Sequence, residues 1–198
     1  MKALLATRNP GKLAELLALF AGGGLDLALP GDEGVPMPDV EETGATFIEN
    51  ALLKARALAA ASHGWALADD SGLEVDALGG APGVRSARYA GPGATDAANV
   101  ARLLEALGTH EDRRARFRCV LALAGPENAT LTATGTLEGE IARAPAGTGG
   151  FGYDPVFLLP DRGLTVAQLP FGEKQKISHR ARAAAALLEL LPRLTDPR

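Results

Sequence analysis

Residues 4–20, LLATRNPGKLAELLALF, hold a strand, a turn and a helix with almost nothing between them. The apolar run LLA ends in TRNPGK. Asn9 is a good helix N-cap and Pro10 suits the first helical position, where its missing N–H costs nothing. Leu13, Leu16, Leu17 and Phe20 then recur at i, i+3, i+4 and i+7, one face of a helix. A strand followed at once by an amphipathic helix needs further strands to cover, and the chain supplies them. The reading is a strand at 2–6, a helix at 10–21 stopped by Gly22–Gly24, and a capping box at Thr46 and Glu49 opening a helix to about Ser62. A short buried strand, WALA at 65–68, follows, with a further strand expected at 73–75. Thr95 caps a helix presenting Val100, Leu103, Leu104 and Leu107. RFRCVLALA and TLTATGTLEGEIA, joined by GPEN, predict an antiparallel hairpin. PVFLLP reads as a strand, and a last helix starts at Ser178 and buries Ala184, Leu187, Leu188 and Leu191. Strands and helices alternate early and a hairpin comes late, so the expected class is α/β with a mixed sheet.

Composition narrows the rest. The chain has 198 residues, 46% of them hydrophobic, enough for one domain with a real core. A net charge of −4 argues against a broad nucleic-acid surface. The single cysteine, Cys119, excludes an intrachain disulfide framework and falls at a buried strand position. The apolar run near Met1 is too short for a signal peptide, and no stretch approaches a membrane span, so a soluble cytoplasmic protein is expected.

Charge placement points to a ligand. Arg8 and Lys12 flank the start of the first helix, where the backbone already carries partial positive charge. Ser178 begins another helix with His179 and Arg180 in its first turn and Lys174 and Lys176 just before. Two cation-rich helix starts favour a phosphate-like anion. Asp69 and Asp70 follow the WALA strand and are expected in a Ser-Gly turn, with Glu41 and Glu42 in an earlier loop. Adjacent carboxylates suit Mg2+, which takes oxygen ligands and keeps several waters; the same residues could simply serve a turn. GTGGFG at 147–152 matches G-x-G-x-x-G, but a strand rather than a helix follows, so a dinucleotide fingerprint is rejected. GTGGFGYDP instead offers a glycine loop in which Phe151 or Tyr153 could stack on a base and Asp154 could accept hydrogen bonds. His63 and His110 read as surface charge, Trp65 as core, and alternation puts some of the arginines at 113, 114, 116 and 118 on an exposed strand face.

TRNPGKLAEL, EETGATFIENALLKA, ADDSGLEVDALGGAPGVRSARYAG, GTGGFGYDPVF and EKQKISHRARA, in that order, resemble the inosine triphosphate pyrophosphatase family. The resemblance spans nearly the whole chain. It implies an elongated mixed sheet with two lobes and a central nucleotide-binding cleft, one domain over 1–198, and a homodimer. The implied reaction is hydrolysis of ITP, dITP and XTP to nucleoside monophosphate and pyrophosphate, cleansing the nucleotide pool. Thr7, Asn9 and Lys12 match the triphosphate motif. Glu42 matches the metal carboxylate, and Asp70 both a Mg2+ ligand and the water-activating base. Lys54 matches a lysine near the phosphates, and Ser71 a substrate contact. Phe151, Gly152, Tyr153 and Asp154 match the nucleoside block. Lys174, His179 and Arg180 match the block that reads the purine, where Arg180 could donate to a 6-keto oxygen that adenine lacks. Arg8 stands where many members carry a small residue, and could add a phosphate contact. Gly172 and Lys176 also depart from the pattern. Rival readings are a Maf-like pyrophosphatase of other base preference, a non-catalytic nucleotide sensor, and a phosphate-binding scaffold.

Overall fold

The computed structural model describes residues 1–195. In chain order the strands are β1 (Lys2–Ala6), β2 (Asp26–Ala28), β3 (Ala66–Val75), β4 (Arg114–Ala124), β5 (Thr130–Ile141), β6 (Phe157–Leu159) and β7 (Leu164–Thr165). The helices are α1 (Pro10–Phe20), α2 (Phe47–Ser62), α3 (Asp96–Leu107), α4 (Phe171–Ile177), α5 (His179–Leu190) and α6 (Pro192–Thr195). Among the described residues the strands form a seven-stranded sheet in the order β2-β1-β3-β4-β5-β6-β7. β1 is parallel to β2 and β3, with Leu4 opposite Ala66, whereas β6 is antiparallel to β5 and β7. The sheet is therefore mixed, as the alternating pattern predicts.

The chain divides into two compact units. The first comprises Met1–Asp70, Cys119–Gly135 and the chain from His179; the second comprises Ser71–Arg118 and Thr136–Ser178. Each has its own core. In the first, Leu5, Leu67 and Leu121 pack against Leu16 and Phe20 of α1 and Leu187 of α5. In the second, Leu73, Phe117 and Phe157 pack against Val100, Leu103 and Leu107 of α3. Removing such surface from water contributes about 25 cal/mol per Å².

Local signals act as expected at the helix starts. Asn9 caps α1, Thr95 caps α3, and Thr46 and Glu49 form the full capping box of α2. His63, in the left-handed conformation at φ 51°, itself ends α2, with Gly64 just beyond. Several elements differ from the sequence reading. β2, β7 and α4 are too short for a periodic signal, and Lys174 and Lys176, just ahead of the helix at 179–190, lie in a short helix of their own, α4. Of the arginine run, Arg113 is the buried one, donating to the carbonyls of Ile141 and Ala142. Arg114 and Arg118 lie at the surface and Arg116 is half-buried, paired with Asp112, Glu74 and Asp76 respectively.

The difference that matters most for the site is β3. It runs without a break from Ala66 to Val75, so Asp69, Asp70 and Ser71 lie in a strand and not in a turn. Small and apolar neighbours on both sides let the strand carry these polar residues through the interior.

Candidate active site

Successive side chains of a strand point to opposite faces. Asp69 follows Leu67 onto the face packed by α1 and α5, and Asp70 emerges on the other. The two adjacent acids therefore have separate partners.

Asp69 is fully committed. Its Oδ1 lies 2.5 Å from the Lys12 ammonium, and its Oδ2 accepts from Arg180 Nε at 2.8 Å and from the Cys119 thiol at 3.2 Å. Arg180 Nη1 in turn donates to Glu15. Arg180 is 1% exposed and Glu15 2%. Burial would lower the Arg180 pKa, but the charges of Asp69 and Glu15 outweigh it and hold the guanidinium ionised. The Cys119 thiol is pushed well up, by burial first and by Asp69 second, so it packs as a neutral group. Gly135 of β5 makes this arrangement possible. A Cβ there would run into the His179 carbonyl and the Ala183 amide, so only glycine lets the start of α5 sit so close to the strand.

On the opposite face, Asp70 Oδ1 and Glu42 Oε1 each lie 2.7 Å from Lys54 Nζ. Burial raises the Asp70 pKa, Glu42 adds to the effect, and the nearby charges of Lys54 and Lys12 only partly offset it. Burial pulls the Lys54 pKa down, but the two carboxylates win and raise it. One ammonium between two carboxylates leaves a net negative charge. Glu42 is held in range by the loop ahead of α2, where the Gly44 N–H donates to buried Asn50 Oδ1 at 2.8 Å and a Cβ on Gly44 would meet that oxygen at 2.6 Å. Among the described residues no group of three or more His, Cys, Asp or Glu side chains is placed to hold a metal alone. Two hard oxygen donors already converging on a cation, with Glu42 partly open to solvent, are nonetheless what Mg2+ takes when substrate phosphates and water complete its shell.

The start of α1 completes this unit. Thr7 Oγ1 accepts the Asn9 N–H, and Asn9 Oδ1 accepts the Lys12 N–H at 3.0 Å. No acid lies in the first turn. Arg8 is exposed and reaches the Asp39 carboxylate and the Met37 carbonyl. The cations at the two helix starts are thus matched largely by protein acids: Lys12 and Arg180 by Asp69 and Glu15, and Arg8 by Asp39. Neither the buried side of Glu15 nor the facing of Asp69 is visible in spacing, so the sequence shows these cations without their partners.

In the second unit, side chains help to fasten the loop at 147–154. Asp154 Oδ2 accepts the Phe151 N–H at 2.9 Å and pairs with Lys174 of α4 at 2.5 Å. The Gly152 N–H donates to Asp96 Oδ2, and the Tyr153 hydroxyl donates to the Ser86 carbonyl at 2.8 Å. Gly150, at φ +72°, lies so close to the Asp154 carboxylate that a side chain would displace it. Tyr153 is buried, which also pushes its hydroxyl pKa up, so it anchors the loop rather than offering a face for stacking. Phe151 is half-buried, with Lys174 Nζ 4.7 Å from its ring centre. Ser71 is half-buried on β3, and His179 is buried at the start of α5. For Arg180, Nε and Nη1 are occupied by carboxylates.

Comparison with known proteins agrees with this architecture. Residues 3–190 match the model of the Ham1 family. A dITP/XTP pyrophosphatase of Methylococcus capsulatus is 52% identical, the alignment covering 98% of each chain. The dITP/XTP pyrophosphatase of Escherichia coli K12 is also 52% identical, over 96% of this chain and 98% of its own. Among solved structures, a HAM1 protein from Coxiella burnetii superimposes with a TM-score of 0.88 at 47% identity, covering 97% of this chain and 98% of that one. The Staphylococcus aureus Ham1 protein gives 0.86 at 44% identity, with the same coverage.

Proposed function

The chain belongs to the Ham1 family, and from that premise we propose that it is a nucleoside triphosphate pyrophosphatase that removes deaminated purine nucleotides. ITP, dITP and XTP are its substrates, and a nucleoside monophosphate and pyrophosphate its products. The observation that carries the reading is the convergence of Glu42 and Asp70 on Lys54, on the side of β3 away from Asp69.

Thr7, Asn9 and Lys12 receive the triphosphate, with Lys54 beside them. Glu42 and Asp70 would hold Mg2+, which when bound supplies positive charge to phosphate oxygens and acidifies water. Asp70 accepts the proton of a water that attacks the α-phosphorus. The bond to the bridging oxygen breaks, and pyrophosphate leaves with its charge balanced by Lys12 and Lys54. A raised carboxylate pKa suits that task, since a general base works best when its pKa approaches the working pH. Ser71 and the Phe151–Asp154 loop are assigned to the nucleoside, with Phe151 as the stacking face and Gly152, Tyr153 and Asp154 shaping it. Lys174 and His179 are assigned to the purine edge. Arg180 joins them only through a donor other than Nε and Nη1. The resemblance further carries a homodimer and a cytoplasmic setting. Among the described residues no helix is long and apolar enough to cross a membrane.

The test is to incubate the protein separately with ITP, XTP, GTP, ATP and dTTP in Mg2+, and to measure pyrophosphate and orthophosphate. Pyrophosphate from ITP and XTP alone, lost when Mg2+ is withdrawn, is expected. Orthophosphate release would place the attack at the γ-phosphorus and contradict the mechanism. Bound ITP without turnover would favour a sensor.

A further inference from the structure

Glu15 stands one turn beyond Lys12 on α1, yet it is buried and takes no part in the proposed chemistry. Burying a carboxylate is costly, and a buried ion pair is often no more stabilising than an apolar pair of the same volume. Stability alone therefore gives poor reason for an acid here. Its contacts give a better one. The signs alternate from Glu15 to Arg180, from Arg180 to Asp69, and from Asp69 to Lys12. The series leaves α1, passes through α5 and β3, and returns to α1 three residues from where it began. Lys12 is thereby tied to its own helix through two other elements.

We propose that Glu15 is a positioning residue for the triphosphate: by engaging Arg180 Nη1 it leaves Asp69 Oδ1 to orient the Lys12 ammonium. The proposal rests on the reading that Lys12 meets the triphosphate. Without the Glu15 charge, Asp69 is the one acid of the series left beside Arg180. Its carboxylate then turns toward the guanidinium, and Lys12 loses the oxygen that aims it. Cys119 bears on the same carboxylate from β4, its thiol donating to Oδ2.

A double-mutant cycle tests this with Glu15→Gln, Lys12→Met and the combined variant, assayed for pyrophosphate release from ITP in Mg2+ below the melting temperature of each. Glu15→Gln keeps the shape and removes the charge. With Lys12 present, kcat/KM is expected to fall by roughly tenfold or more, since small misplacements of a positioning group are costly. In the Lys12→Met background the same change should cost about twofold or less, because coupled sites are not additive. An undiminished effect in that background would show that Glu15 acts elsewhere, through folding or through Arg180 at the base, and would overturn the proposal. So would a Glu15→Gln enzyme as active as wild type. If Glu15→Gln does not fold, Cys119→Ala and Cys119→Ser read the same carboxylate from the other side. The alanine should lower kcat/KM only when Lys12 is present, and the serine, which keeps a donor, should restore it. Unchanged activity in Cys119→Ala would overturn the idea that Asp69 governs Lys12. Wild-type protein that releases no pyrophosphate from any nucleotide is a distinct result, and overturns the underlying reading together with this one.

Discussion

On one face of β3, Asp69 meets an ammonium, a guanidinium and a thiol, all within hydrogen-bonding reach. On the other, Asp70 meets a single ammonium that it shares with Glu42. The side chains are identical and adjacent, so the difference comes from the alternation of the strand and from what each face packs against. Asp69 is saturated and serves as an anchor. Asp70 is under-compensated, its pKa raised by burial, and so keeps an appetite for a proton or a cation. A doublet of acids in a sequence is not by itself a pair of metal ligands; whether it lies in a turn or a strand decides.

The contrast can be broken most strongly from the Asp70 side. Lys54→Met removes the ammonium that contacts both carboxylates. Turnover of ITP is expected to fall on the order of 10²–10³-fold, the usual cost of losing a charge-stabilising donor, in steady-state assays of pyrophosphate release. The pH profile sharpens the same point. Asp70 acts only when ionised, so kcat/KM falls as pH drops through its raised pKa, and the acid limb lies above the ordinary aspartate range. In Lys54→Met that limb should move higher still, because Lys54 is among the charges that lower it.

Effects on the Asp69 side should appear in stability as well as in the aim of Lys12. Gly135→Ala places a methyl group against the α5 backbone and presses Arg180 away from Asp69. It should destabilise by about 1–3 kcal/mol or more in urea unfolding, with little change in m. Cys119 gives a smaller signal: buried and with its thiol pKa far up, it should resist iodoacetamide at pH 8 in the folded protein and react on unfolding. Arg8→Ala should do least, below about 1 kcal/mol, since both it and Asp39 are exposed.

Much of this was legible in the chain. Asn9, Thr46 and Thr95 marked helix starts because capping is local chemistry. The hairpin of β4 and β5 followed from two apolar runs and a short turn. Glu42, Asp70 and Lys54 were named from motif resemblance, and the structure brings them together. What was not legible depends on facing. The continuity of β3 through DDSG is a tertiary effect, since Asp, Ser and Gly in a row carry a turn signal that the sheet overrides. Nothing in the spacing around Lys12 marks Glu15 as buried; its pairing with Arg180 of α5 is visible only in the fold. Asn50, hidden behind the capping box, gave no signal that it clamps the loop bearing Glu42. Tyr153 read as a stacking face because its partner Ser86 lies far away in sequence.

The most direct test of the contrast is to measure melting and ITP turnover for Asp69→Asn and Asp70→Asn side by side at neutral pH. Between the ordinary aspartate pKa and its raised value, folded Asp70 holds a proton that the unfolded chain has lost. Its contribution to stability therefore falls as pH rises through that window, and asparagine removes the cost. Asp70→Asn should melt at or above wild type while turnover drops roughly 10²–10⁴-fold. Asp69→Asn leaves Arg180 and Lys12 short of a charge, and should cost about 3–5 kcal/mol, the range for breaking a buried pair. Equal melting temperatures and equal losses of turnover in the two variants would contradict the division of roles across β3.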